Sequence, residues 1–420
     1  MNIAVIGTGY VGLTIGACLA ELNHHVICVD NHTEKIEGLN KGIIPFYEPN
    51  LEETVKLTVS NRDLEFTTDL TYAVQKSEVC FVAVGTPQAD NGSADMTYIT
   101  EAMTQIAKAM NNYKVIVIKS TVPPKTNERM TKLVSEISKY PFHIVSNPEF
   151  LRQGNAVRDF LHPDRAIIGS DNKEAAEVIG SLYAPITKNI FYMNPVSAEL
   201  TKYAANSFLA TKISFINEIS NLCKRIGANI KDIEKGIGSD HRIGREFLSS
   251  GLGYGGSCFP KDIRALIYTA ESYNADLSIL RTVDEVNTNQ KQLFLNKIYE
   301  KLGTHLSGKT IAVWGLSFKP NTDDLREAPS LYIVNSLVTA GATVKVYDPK
   351  VKGSEKLFPK VIFGDDMYSI LKEASALIVL TEWEEFKNPD FKKVTVPVIF
   401  DGRHIYNKKE IEERGIEYYD

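Results

Sequence analysis

This chain lacks any apolar run near the ~20 residues that a helix needs to cross a bilayer. Its start runs straight into Asn2-Ile3-Ala4-Val5-Ile6, with no basic stretch or small-residue cleavage site, as expected of a cytoplasmic protein without a membrane partner. A net charge of −5 gives no footprint for nucleic acid. None of the five cysteines stands in Cys-x-x-Cys spacing and no histidine cluster accompanies them, so no metal site is expected. Low-complexity sequence is absent. What remains is ordinary: 43% hydrophobic and 24% charged residues fit a soluble globular protein, and 420 residues fit two or three domains.

Continuous apolar runs at Ile3–Ile6, Val26–Val29, Val79–Val84 and Val115–Ile118 read as parallel strands covered on both faces. Helical patterns, such as Met96–Met110 and Lys125–Ile137, separate them. The rhythm returns at Thr310–Trp314, Thr343–Tyr347, Ala376–Leu380 and Val396–Phe400. Between the two lie the 30 residues from Ser197 to Ile226, without Gly or Pro and apolar at helical spacing on both faces; they predict one widely buried helix, stopped by Gly227. The α/β architecture expected is two Rossmann-like, doubly wound parallel-sheet domains joined by a helical middle domain with one long central helix. The boundaries expected are 1–195, 196–300 and 301–420.

Gly7-Thr8-Gly9-Tyr10-Val11-Gly12 follows a strand and opens a helix, in the G-x-G-x-x-G spacing of a dinucleotide turn. Asp30 closes the second strand, 18 residues after Gly12, where an acid accepts from ribose hydroxyls and repels a 2′-phosphate. NAD is therefore favoured over NADP, with Lys35 one turn further on able to weaken the preference; FAD or a nucleotide sugar is the competing occupant. Gly85-Thr86-Pro87 and Ser120-Thr121-Val122-Pro123 follow later strands and are either ligand loops or plain turns. The second α/β segment has no such glycine pattern; its Gly315-Leu316-Ser317-Phe318-Lys319-Pro320 suits a base and a phosphate better.

Cys258 stands in Gly255-Gly256-Ser257-Cys258-Phe259-Pro260-Lys261-Asp262, with glycines on one side and a lysine and an aspartate on the other. Glycines let a backbone approach a ligand, and a nearby ammonium favours the nucleophilic thiolate; the plain alternative is an inert loop cysteine. Cys18, Cys28, Cys80 and Cys223 sit in apolar strands or helix faces and read as packing residues. Lys202 and Asn206, four apart on the long helix, form either a solvated stripe or a polar site. Glu149 lies in the loop Asn147-Pro148-Glu149-Phe150-Leu151-Arg152-Gln153-Gly154.

These stretches, with Gly9–Leu13, Lys202–Asn206 and Phe318–Asp324, resemble the nucleotide-sugar dehydrogenase family from Gly7 to Arg403. The resemblance implies four-electron oxidation of the C6 alcohol of UDP-glucose by NAD, through a thiohemiacetal and a thioester on Cys258. It implies oxyanion and proton-transfer roles for Lys202, a hydrogen bond from Asn206, positioning by Asp262, and thioester hydrolysis by Glu149 with water held by Thr121. Cofactor contacts implied are Gly7, Gly9, Tyr10, Val11, Gly12, Asp30, Lys35, Thr86, Thr121, Gln153, Lys261 and Arg326. Substrate contacts implied are Glu149, Phe150, Leu151, Lys202, Asn206, Phe247, Leu248, Ser249, Ser250, Gly251, Tyr254, Gly255, Lys319 and Arg403. Arg242 matches an arginine that reaches the sugar of a neighbouring subunit, which implies a homodimer. Two positions depart from the family: Gln153 stands where Glu is usual, removing a charge, and His404 where Asn is usual. The alternatives are dehydrogenation of another nucleotide sugar, UDP-N-acetyl-mannosamine or GDP-mannose, and an inactive regulatory binding protein. The Arg242-Ile243-Gly244 and Phe208–Ile213 stretches favour the UDP-glucose branch.

Overall fold

A computed structural model describes residues 1–352, 354 and 356–420. The chain forms two compact units, Met1–Ala205 with Arg264–Ala275, and Asn206–Ile263 with Asp276–Asp420.

The first unit is built on eight strands: β1 (Asn2–Ile6), β2 (His25–Val29), β3 (Leu64–Thr67), β4 (Val79–Val82), β5 (Lys114–Ile118), β6 (Phe142–Ser146), β7 (Ala166–Gly169) and β8 (Ile190–Met193). Their order is β3-β2-β1-β4-β5-β6-β7-β8. The first six are parallel, in the doubly wound order whose reversal point lies between β1 and β4. The antiparallel join of β6 to β7 turns the last two strands around. Alternate strand residues point to opposite faces. Ile3 and Val5 accordingly join one apolar core and Ala4 and Ile6 the other, which is why the run is apolar at every position.

The second unit repeats the scheme with β9 (Thr310–Trp314), β10 (Thr343–Tyr347), β11 (Ile362–Phe363), β12 (Ala376–Val379), β13 (Val398–Asp401) and β14 (Glu417–Tyr419). All pair in parallel, in the order β11-β10-β9-β12-β13-β14. Ile311 and Val313 face one core, Ala312 and Trp314 the other. The last strand run begins two residues later than the sequence pattern predicts, at Val398, because Pro397 has no N–H to give a ladder. The run from Val79 likewise stops at Val82: a Cβ on Gly7 would meet the Ala83 carbonyl oxygen at 2.8 Å, so the chain past β4 already shapes the β1 turn.

The central helix spans Pro195–Ile226, and Gly227 leaves it with φ +77°. It is not buried on all sides. Tyr203, Ile216 and Cys223 are buried, but Leu200, Phe208, Phe215, Leu222 and Ile226 form an exposed stripe, Phe208 at 65%. A single chain packs only one side of this helix, although apolar residues ring it. Cys18, Cys28, Cys80 and Cys223 are all buried, as their apolar surroundings predict.

Candidate active site

The turn after β1 fits a dinucleotide. Gly7 has φ +99°, and a Cβ on Gly12 would collide with the Gly7 carbonyl oxygen. Nothing lies within 4 Å of a Cβ position on Gly9, so that side of the turn is open to a ligand. The helix Tyr10–Glu21 starts here and presents its free N–H groups. Asp30 accepts from the Thr8 N–H (3.0 Å), the Thr8 hydroxyl (2.7 Å) and Lys35 Nζ (2.7 Å). Burial works against its charge, but these donors win and hold its carboxyl down to about 2. Lys35 is thus spent on Asp30. Tyr10 stacks near Phe46 and its hydroxyl accepts from the Gly154 N–H at 2.8 Å, beside Gln153; Val11 packs against the core. The Thr86 hydroxyl donates to the Thr121 carbonyl at 2.8 Å, joining the turns after β4 and β5.

The first unit also buries a charged cluster at the carboxyl ends of β5 and β6. Lys202 Nζ lies 3.1 Å from Glu149 Oε1, with both side chains almost fully buried. Thr121 and Lys202 line one small cavity with Ser120, Ser146, Pro148 and Glu199. Phe150 packs between two cations, the Arg165 guanidinium 3.7 Å and Lys202 Nζ 5.3 Å from its ring centre. Leu151 donates its N–H to Glu149 Oε2.

The second unit holds the other predicted residues. Asn206 Nδ2 donates to Asp262 Oδ2 at 2.7 Å, and Lys261 Nζ donates to Asp262 Oδ1 at 2.5 Å. Lys202 and Asn206, one turn apart, are 3% and 5% exposed, so neither belongs to a solvated stripe. Cys258 is partly exposed, and its carbonyl accepts the first helical bond, from the Asp262 N–H at 2.9 Å. It therefore caps the amino end of the helix Phe259–Ser272, where negative charge on sulfur is favoured. Gly255 and Gly256 wedge this turn: a Cβ on Gly255 would meet the Glu327 carbonyl and one on Gly256 the Phe318 ring. The Arg326 carbonyl accepts the Gly256 N–H at 2.8 Å, and Asp324 grips the Arg326 guanidinium with two carboxylate oxygens.

Around the same turn, Phe247 and Tyr254 each approach the Phe259 ring to 5.9 Å. Leu248 is buried and Ser249 exposed; Ser250 donates to Glu234 (2.8 Å) and lies 3.0 Å from His404 Nδ1. Gly251 abuts the Gly402 carbonyl, and Arg403 donates to the Leu380 and Phe318 carbonyls at 2.7 and 3.0 Å. Lys319 Nζ sits over Phe318. Arg242 is exposed and held by Asp240, 2.6 Å away, far from being buried in its own chain.

Sequence reasoning missed a group behind Glu149. Lys119 Nζ donates to Asn147 Oδ1 (3.0 Å) and Tyr183 Oη (2.8 Å); Tyr183 in turn donates to Asn147 Oδ1 (2.7 Å). Burial, with Lys202 nearby, pushes the Lys119 ammonium down to about 7 against the pull of Glu149. Its signal was a lysine immediately after the apolar Val115–Ile118 run. Glu199, Arg165 and Glu48 were missed as well; Glu48 accepts from the Gly154 and Ala156 N–H groups, both at 2.6 Å, and so shapes the loop after Glu149.

A dinucleotide turn, a buried lysine–carboxylate pair and a cysteine at a helix amino end are the parts of an NAD-dependent dehydrogenase. The NAD-binding, central and UDP-binding domain patterns of the UDP-glucose/GDP-mannose dehydrogenase family match residues 1–187, 196–289 and 312–408, respectively. The chain belongs to that family. It is 44% identical to a UDP-glucose 6-dehydrogenase of Bacillus subtilis, covering 100% of this chain and 92% of that one, and 43% identical to one of Rhizobium meliloti (100% and 98%). A solved UDP-glucose dehydrogenase from Pyrobaculum islandicum superposes with TM-score 0.94 at 36% identity, covering 100% and 96% of the two chains. A UDP-D-ManNAc dehydrogenase from Pyrococcus horikoshii superposes at 0.88 with 27% identity (100% and 98%).

Two outcomes follow from this geometry. Asp30→Ala is expected to raise relative use of NADP by about 10-fold or more, since removing the acid removes the repulsion of a 2′-phosphate; an unchanged NAD-to-NADP ratio of kcat/KM places selectivity elsewhere. Lys119 is depressed by folding, so it adds stability at high pH that is lost as pH falls from the usual lysine range towards about 7. Raising pH from 7 to ~9.5 should therefore stabilise the parent relative to Lys119→Met, by up to about 3 kcal/mol. Denaturant titrations at the two pH values check this.

Proposed function

We propose that this chain oxidises UDP-glucose to UDP-glucuronate in two NAD-dependent steps, holding the sugar covalently on Cys258 between them. The observation that carries the reading is the place of Cys258 at the amino end of a helix, its carbonyl accepting the N–H of Asp262, which is in turn hydrogen-bonded to Asn206. The full-length likeness to UDP-glucose 6-dehydrogenases, against 27% identity to the UDP-D-ManNAc enzyme, supports the sugar.

When bound, NAD supplies the hydride acceptor for both oxidations. The residues of the Gly7–Gly12 turn and Asp30 hold its pyrophosphate and ribose, with Thr86, Lys261, Gln153 and Arg326 as further contacts. In the first step C6 gives up a hydride and its hydroxyl proton, the proton passing to Lys202 or its partner Glu149. The Cys258 thiolate then adds to the aldehyde carbon, forming a C–S bond, while Lys202 and Asn206 stabilise charge on the C6 oxygen. Loss of the second hydride leaves a thioester. Water held by Thr121 and activated by Glu149 adds to it, and the C–S bond breaks to return the thiolate and release the carboxylate. Asp262 orients Asn206. Phe247–Gly251, Tyr254, Gly255, Lys319 and Arg403 hold the nucleotide sugar.

The working division is 1–195 for NAD, 196–300 for assembly and 301–420 for the UDP-sugar, in a cytoplasmic enzyme. The exposed stripe of Leu200, Phe208, Phe215, Leu222 and Ile226 is the face on which a second copy packs, and the exposed Arg242 reaches the neighbouring sugar.

Cys258→Ala should lower UDP-glucuronate formation below about 0.1% of the parent while both ligands still bind, and the parent should yield two NADH per sugar. Product at the parental rate from the variant, or a ratio of one with aldehyde released, removes the covalent four-electron route. A panel of UDP-glucose, UDP-N-acetylhexosamines and GDP-mannose, read by NADH absorbance, tests the sugar. Phe215→Glu should convert a dimer to monomers in sedimentation, with activity falling because Arg242 is withdrawn; an unchanged mass excludes this face.

A further inference from the structure

Glu199 stands one turn before Lys202 on the central helix, so the two share a face. It is 3% exposed and lines the cavity that Thr121 and Lys202 also line. Its Oε1 accepts the Asn127 N–H at 2.8 Å and the Ser146 hydroxyl at 3.2 Å, and the Lys125 and Thr126 amides also favour its charge. These amides open the helix Thr126–Ile137, whose amino end has no cap from its own preceding residue, Lys125. The loop entering that helix, Ser120–Pro124, is the one that carries Thr121. Glu199 therefore does from another element what an N-cap side chain does locally. Its second oxygen, Oε2, is buried with no hydrogen-bond partner among the described residues, so the side chain is not satisfied as a packing residue would be.

We propose that Glu199 is a positioning residue of the reaction: by capping the Thr126–Ile137 helix it fixes the Thr121 loop against the turn of the central helix that presents Lys202. This rests on the roles given above to Thr121 and Lys202. A geometry shared by a general base and a water-holding hydroxyl needs such a strut, since a misplacement of ~1 Å costs on the order of 100-fold in rate.

Ionisation matters to the strut, because a carboxylate binds helix amides more strongly than a carboxylic acid does. Burial pushes the Glu199 carboxyl up to about 7, against its backbone and Ser146 donors. The charged groups on the elements packed around it are Lys202 and Glu149, paired with each other, Lys119 at the end of β5, and Lys125 and Arg129 at the capped helix. The cap tightens as pH rises through about 7, and kcat should rise with it.

The test compares parent, Glu199→Gln and Glu199→Ala, with UDP-glucose and NAD at saturation from pH 5.5 to 9. Glu199→Ala should lose about 100-fold in kcat with KM for UDP-glucose within about threefold. Glu199→Gln keeps the accepting oxygen and should recover to within about fivefold of the parent, but without the rise near pH 7. An alanine variant that folds and keeps kcat within twofold overturns the proposal. So does a glutamine variant that retains the pH rise or falls as far as alanine. If alanine does not fold, the glutamine pH profile decides alone. Should the parent itself fail to reduce NAD with UDP-glucose, the functional reading fails first; a competent parent with indifferent variants sinks only the role of Glu199.

Discussion

Desolvation of charge at the ends of β5 and β6 is the constraint on which the first unit turns. Lys119, Glu149, Glu199 and Lys202 are all withdrawn from water. Leaving any one of them without partners would cost several kcal/mol, so each is held by others: Lys202 by Glu149, Lys119 by Asn147 and Tyr183, Glu199 by backbone amides. A hydrophobic core of the same volume would be no less stable. What such a cluster supplies is groups whose protonation is poised near neutrality, as Lys119 and Glu199 are, each by burial and in opposite directions.

The first six strands of the first sheet and the six of the second share one order, and both sheets share one device. After β1 the turn amide of Thr8 donates to Asp30 at the end of β2; after β9 the amides of Leu316 and Ser317 donate to Asp348 at the end of β10. In the first case the acid lies beside a glycine turn with nothing within 4 Å of a Cβ position on Gly9. In the second, Asp348 also accepts from the Trp383 ring nitrogen, and Gly315 is pressed on Thr381, so the turn is closed where the first is open. The same scaffold thus serves as an NAD-binding domain at one end of the chain and as a UDP-binding domain at the other.

Much of this was legible in the sequence. The strands announced themselves because both faces are buried and every position had to be apolar; the glycine turn and Asp30 followed from spacing. The single-sided burial of the central helix could not be read, since Phe208 and Phe215 look alike whether they meet their own chain or another surface. The strand read from Val396 in fact starts at Val398, because Pro397 has no N–H for the ladder, a cue the apolar pattern alone passes over. The Glu199 and Lys119 roles were invisible because they depend on contacts 72 and 28 residues away, to Asn127 and Asn147 respectively, that no local pattern encodes. Cys258 could be singled out by its neighbours, yet its capping position emerged only from the helix start at Phe259.

Burial also sorts the five sulfurs by vulnerability. Cys28 and Cys80 are pushed up to about 12 by enclosure in their strands, and Cys18 higher still, so they stay protonated and out of reach. Cys223 is sealed in the central helix. Peroxide or an alkylating agent meeting the folded protein therefore finds one address, Cys258. On the covalent route proposed above, oxidation of Cys258 would stop product formation while leaving the fold whole, and a reductant would restore it while the damage stays at the sulfenic stage.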